Sequence, residues 1–294
     1  MKKTTVKDAS GRYELTGETR KIGKTVVYRI RALKPFTTGK NGRIPVWKGR
    51  LGGFVSDLDR ISGNAWVMED AVVMGQARLM DNSVVSGGAV VRGNAVLFDN
   101  SYVGGGSVVS GNARLSDDST VDGFARISGS ALVSGSAYVL DDAEVSGRAE
   151  VGCRAVVRGN AKVSKRAIVT GSAQVEGDAE ITDYALIDDV AEVRDQVKVG
   201  GNTIVAGKAN LTGDAVVMED FDFVVYMNIW SSGRYVTYTR SNGMWRAGCF
   251  HGTGEELVAK ARLDGKLSRK CYAELVKFQK RIDAMREDAK AGSK

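Results

Sequence analysis

The chain has 294 residues, 43% of them hydrophobic, with 42 Lys and Arg against 35 Asp and Glu and a single histidine. That length supports a substantial core with accessory segments, no run of 18 apolar residues is present to span a membrane, and one histidine excludes any centre built on several imidazole ligands. Three cysteines in unlike settings make no disulfide framework, and the opening residues, MKKTTVKDASGRYEL, lack the apolar core of a secretory signal, so a cytoplasmic protein with reduced thiols is expected.

Residues 1–62 form a basic head, with 15 Lys and Arg against five Asp and Glu. Strands are predicted over Arg12–Leu15 and Val26–Leu33. Leu51 to Val55, then Leu58 and Ile61, lead into the next segment. Lys21, Lys24, Arg29, Arg31, Lys34, Lys40, Arg43, Lys48 and Arg50 lie close in sequence, with Tyr28 and Trp47 among them. Such a cluster suits phosphates, on a nucleotide or a nucleic acid. It equally suits an acidic neighbour. Arg29 and Arg31 share a strand face by the two-residue alternation. No glycine-rich phosphate loop of the P-loop type is present.

From Gly63 to Met218 one six-residue pattern repeats 26 times with no insertion or deletion. Position one is usually Gly or Asp, position three is small, and position five is Val, Ile or Leu in every copy. Side chains alternate faces along a strand. Positions three and five therefore point inward and position four outward. Gly and Asp at position one suit a sharp bend, through positive φ or a local side-chain hydrogen bond. Short strands bent at fixed intervals describe a solenoid whose coils hydrogen-bond to those above and below.

The outward residues set the size of a coil. With three hexads per coil, residues 18 apart stack. One column then reads Arg126, Glu144, Lys162, Glu180, Lys198, in strictly alternating charge. Opposite charges on neighbouring strands can pair and like charges repel, so this column argues for a triangular coil. Ser110, Ser128, Ser146, Ser164 and Thr182 form a hydroxyl ladder on the same face. A second column reads Trp66, Val84, Tyr102, Thr120, Tyr138, Val156 before turning polar at Gln174. A third ends Ile168, Leu186, Ile204. Apolar, partly aromatic strips on a surface mark interfaces. Trp66, Val84, Tyr102, Tyr138 and Val156 are therefore the candidate residues for self-association or for a partner. β propensity alone would also favour Val and Tyr there. The segment has 13 Lys and Arg against 20 Asp and Glu, so the rod is acidic between a basic head and a mildly basic tail.

The tail, residues 219–294, opens with strand-like runs at Phe221–Trp230 and Arg234–Arg240. Asn242-Gly243 marks a hairpin turn before Trp245–Phe250. Thr253 with Glu256 makes a capping box, and helical spacing runs from about Ser268 to Lys290. Head and tail are the natural covers for the two open ends of the solenoid. Cys249, His251, Cys271 and the Glu255–Glu256 pair match no strong metal spacing. Cys153 replaces a bend glycine. No metal and no cofactor are expected.

The [LIV]-x-G-x-A-x phase, as in VMGQAR from Val73 to Arg78, resembles the hexapeptide repeat of left-handed parallel β-helices. The flanks, YELT from Tyr13, YRIRAL from Tyr28, LGGF from Leu51 and Trp245 with GCFHGTGEEL from Gly248, resemble hexapeptide-repeat proteins of bacteriophages and prophages. The likeness covers nearly the whole chain. It implies a left-handed coil, against the general crossover preference, and homotrimers packed through outer faces. It also implies a phage-type protein in the cytoplasm of an infected or lysogenic bacterium. Acyltransferases of the hexapeptide class use a histidine general base, often beside a loop projecting from the coil. Here the one histidine, His251, lies beyond the repeats and no hexad carries a loop. The expectation is a non-catalytic structural or interaction protein. Its rivals are an anti-defence protein that binds a host immune factor or sequesters a signalling nucleotide, and a hexapeptide-type acyltransferase.

Overall fold

The computed structural model describes residues 7–292 apart from Ala9. Every hexad from Gly63 onward contributes one bend and one two-residue rung, the rung formed by positions four and five. Rungs pair in parallel with those 18 residues away: Trp66 with Val84, Val84 with Tyr102, Tyr102 with Thr120. Three parallel walls result, wound into a solenoid of about nine turns. At the spacing of stacked strands the rod is roughly 40 Å long. The charged column lies in register from Arg126 through Glu144, Lys162 and Glu180 to Lys198. This wall, the charged wall, is one of the three. The second, the tyrosine wall, carries Trp66 to Asn210, and the third, the mixed wall, carries Arg78 to Ile204.

The interior follows from the repeat. The position-three alanines and position-five aliphatics pack into one continuous core and are closed to solvent. Small residues at position three leave room where three walls converge, and branched residues at position five fill it.

All 26 position-one residues have positive φ, from 54° at Cys153 to 75° at Gly123. Sixteen are glycine, which takes that conformation freely. A Cβ on Gly105 would come 2.3 Å from the Gly123 carbonyl in the next coil. The acidic residues at this position have a different rationale from a local turn bond. Their carboxylates reach across coils and accept the position-one N–H 18 residues on: Asp117 from Gly135 at 3.0 Å, Asp189 from Gly207 at 3.0 Å and Asp195 from Gly213 at 2.8 Å. An N–H left over by the bend is thereby satisfied, which offsets the cost of left-handed backbone. Position two adds an amide ladder. Asn64 donates to Asn82, Asn82 to Asn100 and Asn100 to Asp118, at 3.2, 3.2 and 3.0 Å.

The two ends pose opposite problems. At the first coil, carbonyls point outward with no coil to meet them. The head supplies donors: Arg12 to Gly63 O, and Tyr13 OH to Ala65 O at 2.8 Å. A hairpin of β1 (Tyr13–Ile22) and β2 (Thr25–Ala32) extends the charged wall, and β5 (Leu51–Val55) pairs antiparallel to β2 and parallel to Val72–Val73. The parallel ladder thus begins at Phe54, ahead of Gly63. The first strand runs well past Leu15, because Thr19 to Ile22 pair with β2 despite lacking an apolar pattern. At the last coil, N–H groups point outward, and the tail supplies acceptors. Ile204 N donates to Asp220 at 2.8 Å, Asn210 N to Thr237 at 3.0 Å and Val216 N to Ser241 at 2.7 Å, one on each wall.

Beyond the rod, strands Phe223–Met227, Tyr235–Thr239, Met244–Ala247 and Phe250–Thr253 form an antiparallel sheet, with the predicted turn at Asn242-Gly243. Helices α1 (Gly254–Lys260) and α2 (Lys266–Gly292) cover it. The capping box is present: Glu256 N donates to Thr253 Oγ1 and Thr253 N to Glu256 Oε2. Asp283 on α2 accepts from Tyr238, Arg240 and Gln279 at 2.7, 2.8 and 2.8 Å, which locks helix to sheet. Burial, then the bond to Asp283, push the Tyr238 phenol upward. No helix among the described residues is long and apolar enough to cross a membrane.

Candidate functional site

The tyrosine wall is the surface the sequence singles out, and the structure divides it. Trp66 and Val84 are buried, at 0% and 1% exposure, so the upper end of the strip is not an open surface. A ribbon from the head, β3 (Phe36–Thr38) and β4 (Ile44–Val46), folds down over it. Phe36 and Tyr13 pack on the Trp66 indole, with centroids 5.8 and 6.1 Å away. The ribbon is pinned where Gly39 N and Thr38 Oγ1 both donate to Asn82 O, at 3.0 and 3.1 Å. Below the ribbon the wall is open: Tyr102, Thr120 and Val156 are half-buried, and Tyr138 is 41% exposed. Burial raises the Tyr102 phenol above its usual value. On the mixed wall, Ile168 and Leu186 are half-buried and Ile204 is exposed.

The basic head does not form one patch. Arg29 is drawn into the structure: its guanidinium lies 4.5 Å from the Phe54 ring centre, bonds Glu18 at 2.8 Å and donates to Gly52 O at 2.9 Å. Arg31 pairs with Glu14 at 3.1 Å. Between them the β2–β5 register slips, with the extra residue on β5, so they meet different partners on that strand. Arg50 donates to Pro45 O at 2.7 Å, and Lys34 to Ser10 O at 3.3 Å. Lys21 and Lys24 are exposed at the turn end of the β1–β2 hairpin, and Lys48 is exposed on a different stretch, after residue 46. Of the predicted cluster, Arg43 and Lys40 land on the tyrosine wall, at the ribbon tip, where the Lys40 ammonium reaches Asp118 at 3.2 Å.

This convergence was not visible in the sequence. A cleft of about 240 Å³ opens between ribbon and wall, and it joins the two leads that sequence reasoning kept apart. Its overlooked members are Gly39, Ile44, Asn100 and Asp118. The 18-residue recurrence Asn64, Asn82, Asn100, Asp118 was the available signal for two of them.

The remaining candidates are dispersed. His251 and Cys249 are exposed, and Cys271 is half-buried on α2. The His251 ring lies against the Gly213 bend. Among the described residues no group of three His, Cys, Asp or Glu is placed to hold a metal. Cys153 is exposed at its bend, and hydrogen bonds from the Thr170 hydroxyl and then the Gly171 N–H lower its thiol below the usual value. No protein-family model matches the chain, and no curated protein matches its sequence.

Proposed function

We propose that the protein is a non-catalytic interaction protein of the left-handed hexapeptide-repeat class found in phages and prophages. Its rod is a rigid spacer, and the open stretch of the tyrosine wall, from Tyr102 to Val156, is the contact surface for a second copy of the chain or for a host protein. The observation that carries this reading is Tyr138, 41% exposed in mid-wall and flanked in register by Thr120 and Val156. An aromatic held on a ladder of main-chain bonds is already in its binding conformation, so little entropy is lost on contact, and tyrosine is favoured at interface centres. The buried upper strip supports the reading from the opposite side, because the head already uses the same kind of surface as a seat for its own ribbon.

The test is light scattering on Tyr102→Asp combined with Tyr138→Asp. A smaller particle than wild type is expected. An unchanged mass rejects this wall as the self-association face.

A further inference from the structure

We infer that the cleft between the ribbon tip and the tyrosine wall binds a compact planar aromatic anion, one ring system bearing a carboxylate or a phosphate. The site goes beyond the contact surface proposed above. It shares Tyr102 and Tyr138 with that surface but does not require the wall to be an interface.

Three features converge. The first is shape. The floor is Val84, Tyr102, Thr120 and Tyr138, and the ribbon overhangs it with Gly39 and Ile44, enclosing about 240 Å³. Small-molecule sites run from about 300 Å³ upward for drug-sized ligands, so the occupant here is smaller, about one ring system with its substituent. The second is surface chemistry. Two tyrosine rings and two aliphatic side chains offer stacking and apolar contact to a flat ligand. The third is charge. Lys40 and Asp118 are 3.2 Å apart and offset each other. Arg43 is exposed and carries no ion pair among the described residues. The cleft is therefore left with one uncompensated guanidinium, the group best suited to a carboxylate or phosphate by paired hydrogen bonds.

The walls of the cleft are also fixed before any ligand arrives. The ribbon is held at Asn82 O by two hydrogen bonds, and Asp118 is held by Asn100 at 3.0 Å. Arg43 is free to close over the anion while the rest stays in place.

Isothermal titration calorimetry with 4-hydroxybenzoate and with uridine monophosphate tests this, each against its neutral counterpart, 4-hydroxybenzyl alcohol or uridine. At least one acid is expected to bind once per chain, with the neutral compound at least tenfold weaker. Which acid binds distinguishes a carboxylate from a phosphate ligand. Arg43→Ala should weaken binding about 10- to 100-fold, and Tyr138→Ala should weaken it as well, while Arg126→Ala on the charged wall leaves it unchanged. Arg43→Ala should also keep the wild-type particle mass and melting temperature, which separates loss of this site from loss of self-association or of folding. Absence of binding by both acids, or binding that Arg43→Ala does not alter, overturns the inference.

Discussion

Replacing Thr237 by valine keeps the shape of the side chain and removes a single acceptor. Thr237 is 2% exposed, and its hydroxyl takes the N–H of Asn210 at 3.0 Å, the outward-pointing donor of the last rung on the tyrosine wall. Within the rod such an N–H meets a carbonyl of the next coil, as Val84 meets Ser101 at 2.9 Å. At the last coil no carbonyl follows, and valine offers nothing in its place. An N–H stranded away from water costs about 1–3 kcal/mol; Asn210 is half-buried, which puts the cost in the lower part of that range. A loss of this size lowers the melting temperature of a unit of this length by roughly 2–8 °C. Solenoid stability builds up coil by coil, so the damage should stay local. Hydrogen exchange read by mass spectrometry should show faster exchange over residues 198–218 and no change around residues 121–139. Ser241→Ala, at an exposed cap where water can replace the hydroxyl, should do less. Unchanged melting together with unchanged exchange over 198–218 in Thr237→Val would refute the view that the tail stabilises the rod by capping its open N–H groups.

Val121→Ala removes two methyl groups from the closed core and should lower stability by about 1–3 kcal/mol in a denaturant titration; a loss below 0.5 kcal/mol, taken here as roughly the noise of a surface substitution, would contradict its inward placement. A pH series should separate Asp183 from its neighbours. The Lys165 ammonium, then the Gly201 N–H, hold its carboxyl below its ordinary value of 3.8. A depressed folded-state value means that its contribution is complete above pH 3.8 and is lost as the pH falls through the lower, folded value. Asp183→Asn should therefore flatten the acid limb of the stability curve and leave the slope near pH 7 unchanged. An acid limb identical to wild type would show that Asp183 contributes nothing to it.

The repeat made the rod legible. A side chain every second residue and a bend every sixth leave few ways to bury Val139 and expose Tyr138, and the alternating charges from Arg126 to Lys198 fixed the register. The tail was readable where chemistry is local: Asn242-Gly243 for the turn, Thr253 with Glu256 for the helix start. What did not show was how the non-repeating head meets the rod. Trp66 and Val84 occupy the same outward position as Tyr138, and nothing in their hexads says that Phe36 and Gly39 cover them. Arg29 reads as a surface cation beside Arg31, yet Phe54, Glu18 and Asp70 draw it inward. The position-one carboxylates were misread in a smaller way. Their partners lie 18 residues on, a distance at which a local turn motif gives no hint. The basic character of the head has a partial structural reason too, since Arg12 and Arg29 donate to first-coil carbonyls, Gly63 O and Glu69 O.

Every column named on the walls depends on 18 residues per circuit, and a cysteine pair measures that number directly. In a chain with Cys153, Cys249 and Cys271 replaced by serine, Arg126→Cys with Glu144→Cys places two thiols on neighbouring rungs. Stacked rungs lie about 4.8 Å apart, inside the disulfide range of about 4.4–6.8 Å between Cα atoms. Mild oxidation should cross-link this pair within one chain, and should leave Arg126→Cys with Tyr138→Cys and Arg126→Cys with Glu150→Cys unlinked. Efficient linking of either of the latter pairs, with the first remaining reduced, would contradict the three-walled rod and dissolve both the tyrosine wall and the cleft built upon it.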